Sequence, residues 1–385
     1  MSERVKKVVF LVLHLGYGGT ERAVISEANL LSDFCDVEII SAYKLLKVPA
    51  FKVNSKVKIT YLTEGVSPNK QQIKDAIKTL RPWWLLKELV KSAKILYLRT
   101  ALMKKAVKNL DADIVISSRY LYHKLLTKNV KKDTVCIAQE HNHHNGNKRY
   151  IKKQVKAVRG MDFFMPVSKE LTDFYSSKVK GKTVCKFIPH HLERFPNEIS
   201  ALTGKNIISV GRLSSEKAPD ELIEVFRLVA ANHPDWNLHI VGDGLLRPYL
   251  EQLTASYGLE GRVILHGTKS QKEIGKLMLD CSIYIMTSHT ESFGLALLEA
   301  QSFGLPCVAF DSARGAKEIV TNGENGILIP SRSWDEMARA IDELISDPEL
   351  ACALGKCGRE RSKNYSYDVV KKQWRDFILS LEGGK

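Results

Sequence analysis

Two glutamates, Glu291 and Glu299, stand eight positions apart in a stretch whose residue types could bind hydroxyl groups or a metal ion. The stretch, residues 287–300, reads TSHTESFGLALLEA, and its apolar residues predict a helix after the strand SIYIM. If the whole stretch is helical, the carboxylates lie about 12 Å apart, since each residue rises about 1.5 Å. That separation is too long for one shared metal ion and suits contacts to the two ends of an extended ligand. Solvated glutamates on a helix surface are the alternative interpretation.

Two cations, Arg212 and Lys217, lie in the loop GRLSSEK directly after another predicted strand. Pro219, with Asp220 and Glu221 behind it, predicts the start of a helix, because proline is favoured at the first helical position and acids in the first turn. The Arg212 guanidinium could hold a phosphate through two hydrogen bonds, while Lys217 adds a point charge. Solvated surface charge is again the alternative.

Glycines mark a third candidate loop, GYGGTER at residues 16–22, between the first predicted strand and a helix. Gly18 and Gly19 would let a ligand approach the backbone, and the free N–H groups at the helix start suit an anion. The spacing does not match GxGxxG, so it does not predict a dinucleotide site. A plain tight turn is the alternative.

Histidines and acids supply the remaining candidates. His141 follows the predicted strand TVCIAQE and opens the loop HNHHNG, so it should project from the end of a sheet. Glu140, His143 and His144 make a metal site conceivable, but neighbours in one loop rarely complete a coordination shell. They also leave open which histidine of this loop is functional. The pair Asp111 and Asp113 reads DxD but precedes a strand, which favours a cap or turn over a metal site.

Two series of short apolar runs must position these groups. Continuous apolar strands are buried on both faces, which predicts parallel sheets covered by helices. Ligands of such sheets bind beyond the carboxyl ends of the strands. The sequence therefore predicts two doubly wound α/β domains facing a central cleft, joined near residues 189–204. The runs are 8–13, 37–40, 114–116, 135–138 and 163–165, then 206–210, 238–241, 263–265, 283–286, 307–309 and 326–329.

Length and composition agree with this organisation. A chain of 385 residues with 44% apolar and 26% charged residues is neither disordered nor fibrous, and its length favours two domains. Its seven cysteines contain no CxxC pair, which favours a reducing compartment. No uninterrupted apolar stretch approaches the roughly 18 to 20 residues that span a bilayer. We expect a cytoplasmic, non-spanning protein.

The net charge of +15 is unevenly distributed along the chain. Residues 1–200 carry +19 and residues 201–385 carry −4, and residues 70–108 combine eleven basic and two acidic residues with the pair Trp83 and Trp84. Basic residues attract anionic headgroups and tryptophan suits the interface, so this segment is a candidate for an anionic membrane surface, with a helix starting at Pro82. The alternative is a solvated helix that packs four apolar residues inward, namely Leu85, Leu86, Leu89 and Tyr97. A nucleic-acid surface is disfavoured, because no recognition module accompanies the charge.

Taken together, the motifs resemble a family-4 retaining glycosyltransferase of GT-B fold, of the kind acting in bacterial capsule, lipopolysaccharide or teichoic-type glycan assembly. The resemblance is strongest over residues 205–365. It implies an acceptor-side domain at 1–195, a nucleotide-sugar domain at 196–365 and a helix at 366–385 that crosses back to the first domain. It rests on five ordered elements: E-x7-E at 291–299, a GGxER-like loop at 18–22, GRLSSEK at 211–217, VGDG at 241–244 and EIVTNGENGILIP at 318–330.

The resemblance implies a role for each candidate. Arg212 and Lys217 would neutralise the donor diphosphate, which removes the need for a metal or other cofactor. Glu299 would accept hydrogen bonds from the ribose, while Glu291 and His141 would be catalytic groups near the sugar. The other donor-binding candidates are Gly18, Gly19, Gly267, Thr268, Phe293, Gly294 and Leu295.

The function expected from this resemblance is retaining transfer of a hexose from a nucleotide diphosphate donor, a UDP-sugar, to a hydroxyl of a lipid-linked or polymeric glycan. The enzyme would act in the cytoplasm, peripherally at the inner face of the plasma membrane. Two alternatives are a sugar-nucleotide epimerase of the same fold and a non-catalytic protein that binds membrane surfaces.

Overall fold

The computed structural model describes residues 5–64, 69–79 and 81–381, and of residues 70 and 71 it describes only the backbone. Parts of three predictions lie outside the described residues: 1–4, 65–68 and 80 of the first domain, of which 80 also belongs to the basic segment, and 382–385 of the terminal helix. The chain divides into one unit of Met1–Ile188 with Gln373–Lys385 and a second unit of Pro189–Lys372. The division falls at the start of the segment 189–204.

A parallel sheet forms the centre of the first unit, with seven strands among the described residues in the order β3-β2-β1-β4-β5-β6-β7. Its inner strands are almost fully buried because helices cover both faces, as their continuous apolar sequences predict. The strands are β1 Lys7–Val12, β2 Asp36–Ser41, β3 Lys58–Tyr61, β4 Ile114–Ser117, β5 Val135–Glu140, β6 Phe163–Pro166 and β7 Val184–Cys185. The helices are α1 Gly19–Leu31, α2 Lys70–Lys78, α3 Pro82–Lys108, α4 Tyr120–Asn129, α5 Lys148–Val158 and α6 Lys169–Ser176.

The second unit repeats this plan with a parallel sheet of six described strands, ordered β10-β9-β8-β11-β12-β13. Its core joins buried side chains of the central strands and of α7 and α12, including Ile207, Phe226 and Ile341. The strands are β8 Asn206–Val210, β9 Asn237–Val241, β10 Val263–Gly267, β11 Ile283–Met286, β12 Cys307–Phe310 and β13 Ile327–Ile329. The helices are α7 Pro219–Asn232, α8 Arg247–Ser256, α9 Gln271–Leu279, α10 Leu295–Ser302, α11 Ala316–Ile319, α12 Trp334–Ser346 and α13 Pro348–Ser362. A last helix, α14 Tyr367–Ser380, starts in the second unit and ends in the first.

The last helix, α14, contributes to the core of the first unit. Phe377 meets Phe163 of β6 edge to face, with ring centroids 4.9 Å apart, and Lys186 lies over the Phe377 ring. Such aromatic pairs add to the free energy gained by burial. The end of the chain is thereby fastened to the unit that contains its beginning.

The basic segment forms two helices, and α3 begins at Pro82 as predicted. The inward packing offered as an alternative is wrong for Leu86, Leu89 and Tyr97, which are all exposed. Trp83 is 83% exposed as well. Across the described residues, no helix combines the length and the apolar character that crossing a membrane requires.

Candidate functional site

The loop after β8 carries Arg212 and Lys217 and is shaped by backbone contacts. Its hydrogen bonds run from the Gly211 N–H to the Val241 carbonyl, at 2.9 Å, and from the Leu213 N–H to the Asp243 carbonyl, at 3.0 Å. A Cβ on Gly242 would lie 1.9 Å from the Gly211 carbonyl oxygen, so only glycine allows the two loops to touch. This contact gives the VGDG motif a structural reason. As predicted, α7 begins at Pro219 with acids in its first turn.

The loop after β11 carries Glu291 and is held from both sides. On one side, the Thr287 hydroxyl donates to the Ala218 carbonyl at 2.8 Å, and the His289 N–H donates to the Glu216 carbonyl at 2.9 Å. On the other side, the Gly315 N–H donates to the Glu291 carbonyl at 2.9 Å. The helix α10 begins at Leu295, so Glu291 precedes it, and the separation of about 12 Å calculated for a fully helical stretch does not apply.

The two loops meet in an ion pair between Lys217 and Glu291, whose Nζ and Oε2 atoms are 2.5 Å apart. The side chains are only 29% and 19% exposed, so water screens the pair less than it would on an open surface. Arg212 is more open, with 56% of its side chain exposed and Glu216 3.6 Å away. The pair therefore fixes Lys217 in place, while Arg212 remains available to an anion.

A cleft lies over these loops in the second unit. Arg212, Lys217 and Glu291 line it, as does Tyr284 of β11, which sequence reasoning missed. Burial raises the pKa of Tyr284 well above its usual value, and the Glu291 and Glu299 carboxylates raise it further. The hydroxyl therefore stays protonated, and it lies 3.4 Å from the Val210 carbonyl oxygen. The cleft has the positive and hydrogen-bonding groups that a phosphate-bearing ligand requires.

The other predicted donor residues of this unit lie nearby but do not line the cleft. Gly294 caps α10 with a φ of 95°, a left-handed conformation that glycine adopts without strain, and Leu295 is the first helical residue. Phe293 is buried against His190 and Tyr365, with ring centroids 5.3 and 5.8 Å away. The remaining three are Glu299 on α10 and, at the carboxyl end of β10, Gly267 and Thr268.

Arg332, just after β13, is a further residue that sequence reasoning missed. Its guanidinium donates to the carbonyls of Thr287 and Ser288 at 2.8 and 3.1 Å and to the Ser312 hydroxyl at 2.9 Å. It also pairs with Glu221 of α7 at 2.7 Å. Arg332 therefore ties the loop that carries Glu291 to α7. The clue available in the sequence was its position, a charged residue directly after a predicted strand.

In the first unit, Gly18 and Gly19 begin α1, but they differ in their surroundings. A Cβ on Gly18 would lie 2.1 Å from a carboxylate oxygen of Glu21, whereas a Cβ on Gly19 would meet nothing within 4 Å. Glu21 is buried and accepts a hydrogen bond from Arg119 at 3.0 Å, with His14 3.6 Å away. The space beside Gly18 is thus occupied by the Glu21 carboxylate, whereas the space beside Gly19 is open.

His141 lies at the carboxyl end of β5, half-buried, with both ring nitrogens shielded from solvent. Burial, together with the charge of Arg119, lowers its pKa to about 4, so the imidazole is neutral near pH 7. Burial raises the pKa of the neighbouring Glu140 to about 7. By contrast, His143 and His144 pack on each other, and the His144 ring lies 4.2 Å from that of Phe174 on α6.

The sequence offers two candidate metal sites, the loop at residues 140–144 and the DxD at residues 111–113. Among the described residues, no three histidine, cysteine, aspartate or glutamate side chains are grouped as metal ligands. Asp113 accepts a hydrogen bond from the Lys7 N–H at 2.8 Å, and Asp111 pairs with Lys131 at 2.9 Å. Since Lys7 starts β1 and Asp113 precedes β4, this DxD lies at the amino ends of the strands. It is at the edge opposite to His141.

Comparison with known proteins gives the family and the fold. Residues 193–361 match the family model described as glycosyl transferases group 1. A Haemophilus influenzae protein described as an uncharacterized glycosyltransferase is 30% identical over 380 residues, covering 97% of this chain and 100% of that protein. An exopolysaccharide phosphotransferase of Streptomyces coelicolor is 28% identical over 377 residues, which are 94% of this chain but only 39% of that protein. The chain therefore spans about two fifths of that relative's length.

A solved structure extends the comparison. A mutant of Staphylococcus aureus TarM, in complex with fondaparinux, alpha-GlcNAc-glycerol and UDP, is similar with a TM-score of 0.77 at 16% identity. The similarity covers 98% of this chain and 99% of that one. Together with the two parallel sheets, it confirms the predicted GT-B fold.

Proposed function

Because the chain belongs to the group 1 glycosyltransferases, we propose that it is a retaining enzyme that transfers a hexose from a UDP-sugar to a hydroxyl of a lipid-linked or polymeric glycan. The observation that carries this proposal is the Lys217–Glu291 pair beside Arg212 in an open cleft at the carboxyl ends of β8 and β11. Parallel sheets bind their ligands at this edge. All three residues lie in the segment that matches the family model, and the TarM structure contains UDP.

In the proposed reaction, the bond between the anomeric carbon and the diphosphate breaks, and both electrons of the bond leave with UDP. The acceptor oxygen bonds to the same carbon, and one proton is released. Arg212 and Lys217 stabilise the charge that develops on the diphosphate, because fixed cations in a partly buried site act strongly on a leaving anion. These two cations supply the positive charge, so we expect no metal cofactor.

The glutamates act on the neutral parts of the donor. Glu291, held by Lys217, lies beside the sugar, and Glu299 accepts hydrogen bonds from the ribose. Gly294, Phe293 and Leu295 present backbone N–H groups at the start of α10, where a helix favours negative charge. His141 is neutral at pH 7, so it acts as a hydrogen-bonding group and not as a cation.

The site assignment is tested by replacing one lysine at a time. Lys217→Ala should lower kcat/KM by about 100-fold or more, as removal of a group that stabilises a developing charge does elsewhere. Lys276→Ala, at an exposed position of α9, is the matched control and should leave turnover unchanged. Turnover is measured as UDP released from a panel of UDP-sugars with glycan acceptors. Near-normal turnover by Lys217→Ala would show that the assignment is wrong, and conversion of a UDP-sugar without any acceptor would indicate an epimerase instead.

We further propose that the enzyme works in the cytoplasm, at the inner face of the plasma membrane, through α3. Trp83, Leu86, Val90 and Tyr97 are all exposed and are spaced three, four and seven residues apart, so they form one stripe along the helix. Exposed lysines at positions 87, 91 and 94 flank the stripe. An apolar stripe beside cations suits a helix that lies in the interface of an anionic membrane, where each lysine adds about 1 kcal/mol.

Sedimentation with anionic and with neutral vesicles tests this part independently of activity. We expect binding to anionic vesicles at low salt, weakened about tenfold by Trp83→Ser, since a tryptophan is the largest apolar side chain that the stripe offers. Leu245→Ser is the control, because Leu245 is 98% exposed but lies in the second unit. Absence of binding at low salt, or equal losses in the two variants, would rule out docking through α3.

A further inference from the structure

The helices α4 and α5 of the first unit form a second basic surface, different from that of α3. They pack against each other, and together they contain seven lysines and arginines and no acidic residue. All seven side chains are exposed. They are Lys124, Lys128, Lys148, Arg149, Lys152, Lys153 and Lys156.

These cations are not neutralised within the described part of the chain. None of them lies within 4.0 Å of a described carboxylate, whereas nearby cations such as Lys131 and Lys169 are paired with acids at 2.9 and 2.8 Å. Lys153 lies over the ring of Tyr120, 5.5 Å from its centroid, a contact that leaves its charge in place. The surface therefore holds a concentrated positive charge.

The cations of α5 form ordered rows. Lys148, Lys152 and Lys156 are spaced four residues apart, which places neighbours about 6 Å from one another along the helix. Arg149 and Lys153 form a parallel row about 100° further around the helix. Because α5 follows the loop that starts at His141, the rows begin beside the predicted catalytic loop and lead away from it.

We propose that the face of α4 and α5 binds the acceptor as a polyanion, a glycan chain with repeated phosphate or carboxylate groups. This inference rests on the proposed function and names the chemical class of its acceptor. Rows of cations about 6 Å apart complement a linear chain with regularly spaced charges. Such binding is driven largely by release of the counterions that surround the polymer.

Two other occupants fit the surface less well. A membrane needs several apolar residues to insert, and among the described residues of α4 and α5 the exposed large apolar side chain is Tyr120, in contrast to the stripe on α3. Nucleic acid is bound through exposed aromatic residues that stack on bases as well as through charge. The exposed aromatic residue of this face, Tyr120 of α4, has its ring covered by Lys153. Tyr150 of α5 is half-buried, and its hydroxyl is hydrogen-bonded to Glu140.

The test compares two triple variants of the full chain that remove equal charge. The first is Lys148→Gln/Lys152→Gln/Lys156→Gln on α5, and the second, its control, is the same change at residues 87, 91 and 94 of α3. Binding of fluorescent polyphosphate, of polygalacturonate and of single-stranded RNA is measured by anisotropy at several salt concentrations, and binding to anionic vesicles by sedimentation. Thermal unfolding checks that both variants are folded.

We expect the α5 variant to lose at least tenfold in affinity for polyphosphate or polygalacturonate, with a salt slope lower by about two, since each contact adds about 0.7. Its vesicle binding should stay within twofold of the parent, and the control should show the reverse pattern. Equal losses in the two variants would mean that net charge alone is responsible and would overturn the proposal. So would unchanged binding of both polymers, or a preference for RNA that only the α5 change removes.

The polyanion proposal and the proposed function can fail independently of each other. If UDP-sugars are not substrates and polyphosphate binding still depends on α5, the surface stands but its ligand is not a glycosyl acceptor. If transfer occurs, a charged acceptor should show a higher KM with the α5 variant, while a short neutral acceptor should not. Equal KM changes for both acceptors would refute the assignment of this face to the acceptor.

Discussion

A methyl group added at Gly315 should disable the donor cleft without altering any side chain that lines it. Gly315 precedes α11 with φ −62° and ψ −19°, a conformation that alanine adopts freely, so the substitution adds no backbone strain. An alanine Cβ would nevertheless lie 2.4 Å from the Phe293 nitrogen, 2.6 Å from the Ser292 carbonyl carbon and 2.8 Å from the Glu291 carbonyl oxygen. All three are backbone atoms of the loop that carries Glu291. The loop must therefore move.

The size of the effect follows from these distances. Ordinary contacts of a Cβ begin at about 3.4 Å, so the Phe293 nitrogen must retreat by about 1 Å. Overpacking of this kind costs about 1 to 3 kcal/mol of unfolding free energy. A displacement of about 1 Å in catalytic groups lowers the rate about 100-fold. We expect Gly315→Ala to lower kcat/KM by that factor and to weaken UDP-sugar binding, measured by calorimetry.

Gly355→Ala is the matched control for this prediction. A Cβ on Gly355 would lie 2.1 Å from the Gly304 carbonyl oxygen, an equally severe clash within the same unit but between α13 and the turn after α10. Both variants should be less stable in urea, and only Gly315→Ala should lose donor affinity beyond its loss of folded protein. Wild-type donor binding by Gly315→Ala, or equal losses of binding in the two variants, would refute the argument that this loop forms the donor site.

Three further predictions address other parts of the molecule. Arg332→Gln should lower kcat/KM about tenfold, because it loosens the loop that carries Glu291. Arg332→Lys should restore part of the activity. Equal activity of the parent and both variants would contradict the role of Arg332 in tying this loop to α7. Gly18→Ala should destabilise the first unit in thermal unfolding, because its methyl group displaces Glu21. Gly19→Ala should leave stability unchanged and raise the KM for the donor. The reverse pattern would show that the roles of the two glycines had been exchanged. Burial raises the pKa of Glu27 to about 8, so the folded state holds this proton more tightly than the unfolded state does. The free energy of unfolding should therefore fall by up to about 5 kcal/mol between pH 4.5 and 8. Glu27→Gln should remove this fall, measured by urea unfolding at pH 5 and pH 8, and an unchanged pH dependence would show that Glu27 is not its source.

Most strands could be predicted from the sequence, because a strand that is buried on both faces consists of consecutive apolar residues. The runs at β8 and β11 were predicted with their observed bounds, and most others within one or two residues. The strands β3 and β7 were missed. They lie at the edges of their sheet, where β3 is partly exposed and β7 has only two residues, so neither contains a continuous apolar run.

The conformation around Glu291 could not be predicted, because its determinants are distant in the sequence. The residues from 295 onward have a helical pattern, and only Gly294 separates them from those just before. The loop is fixed by backbone contacts to Glu216 and Gly315, which lie far away along the chain. Gly294 was the available sign, since a glycine just before an apolar helical run is compatible with a left-handed cap.

Charged residues at strand ends could have been found by a simpler rule than motif matching. Arg119 follows β4 and Arg332 follows β13, just as Arg212 follows β8. Because all strands of each sheet are parallel, every one of these residues lies at the ligand-binding edge of its sheet. The rule cannot tell which of them binds a ligand. Arg119 and Arg332 are each held by a buried or half-buried glutamate of a neighbouring helix, whereas the partner of Arg212, Glu216, is exposed. That difference in partners separates cations that hold the site together from one that is free to take a ligand, and it depends on contacts between residues about 100 positions apart.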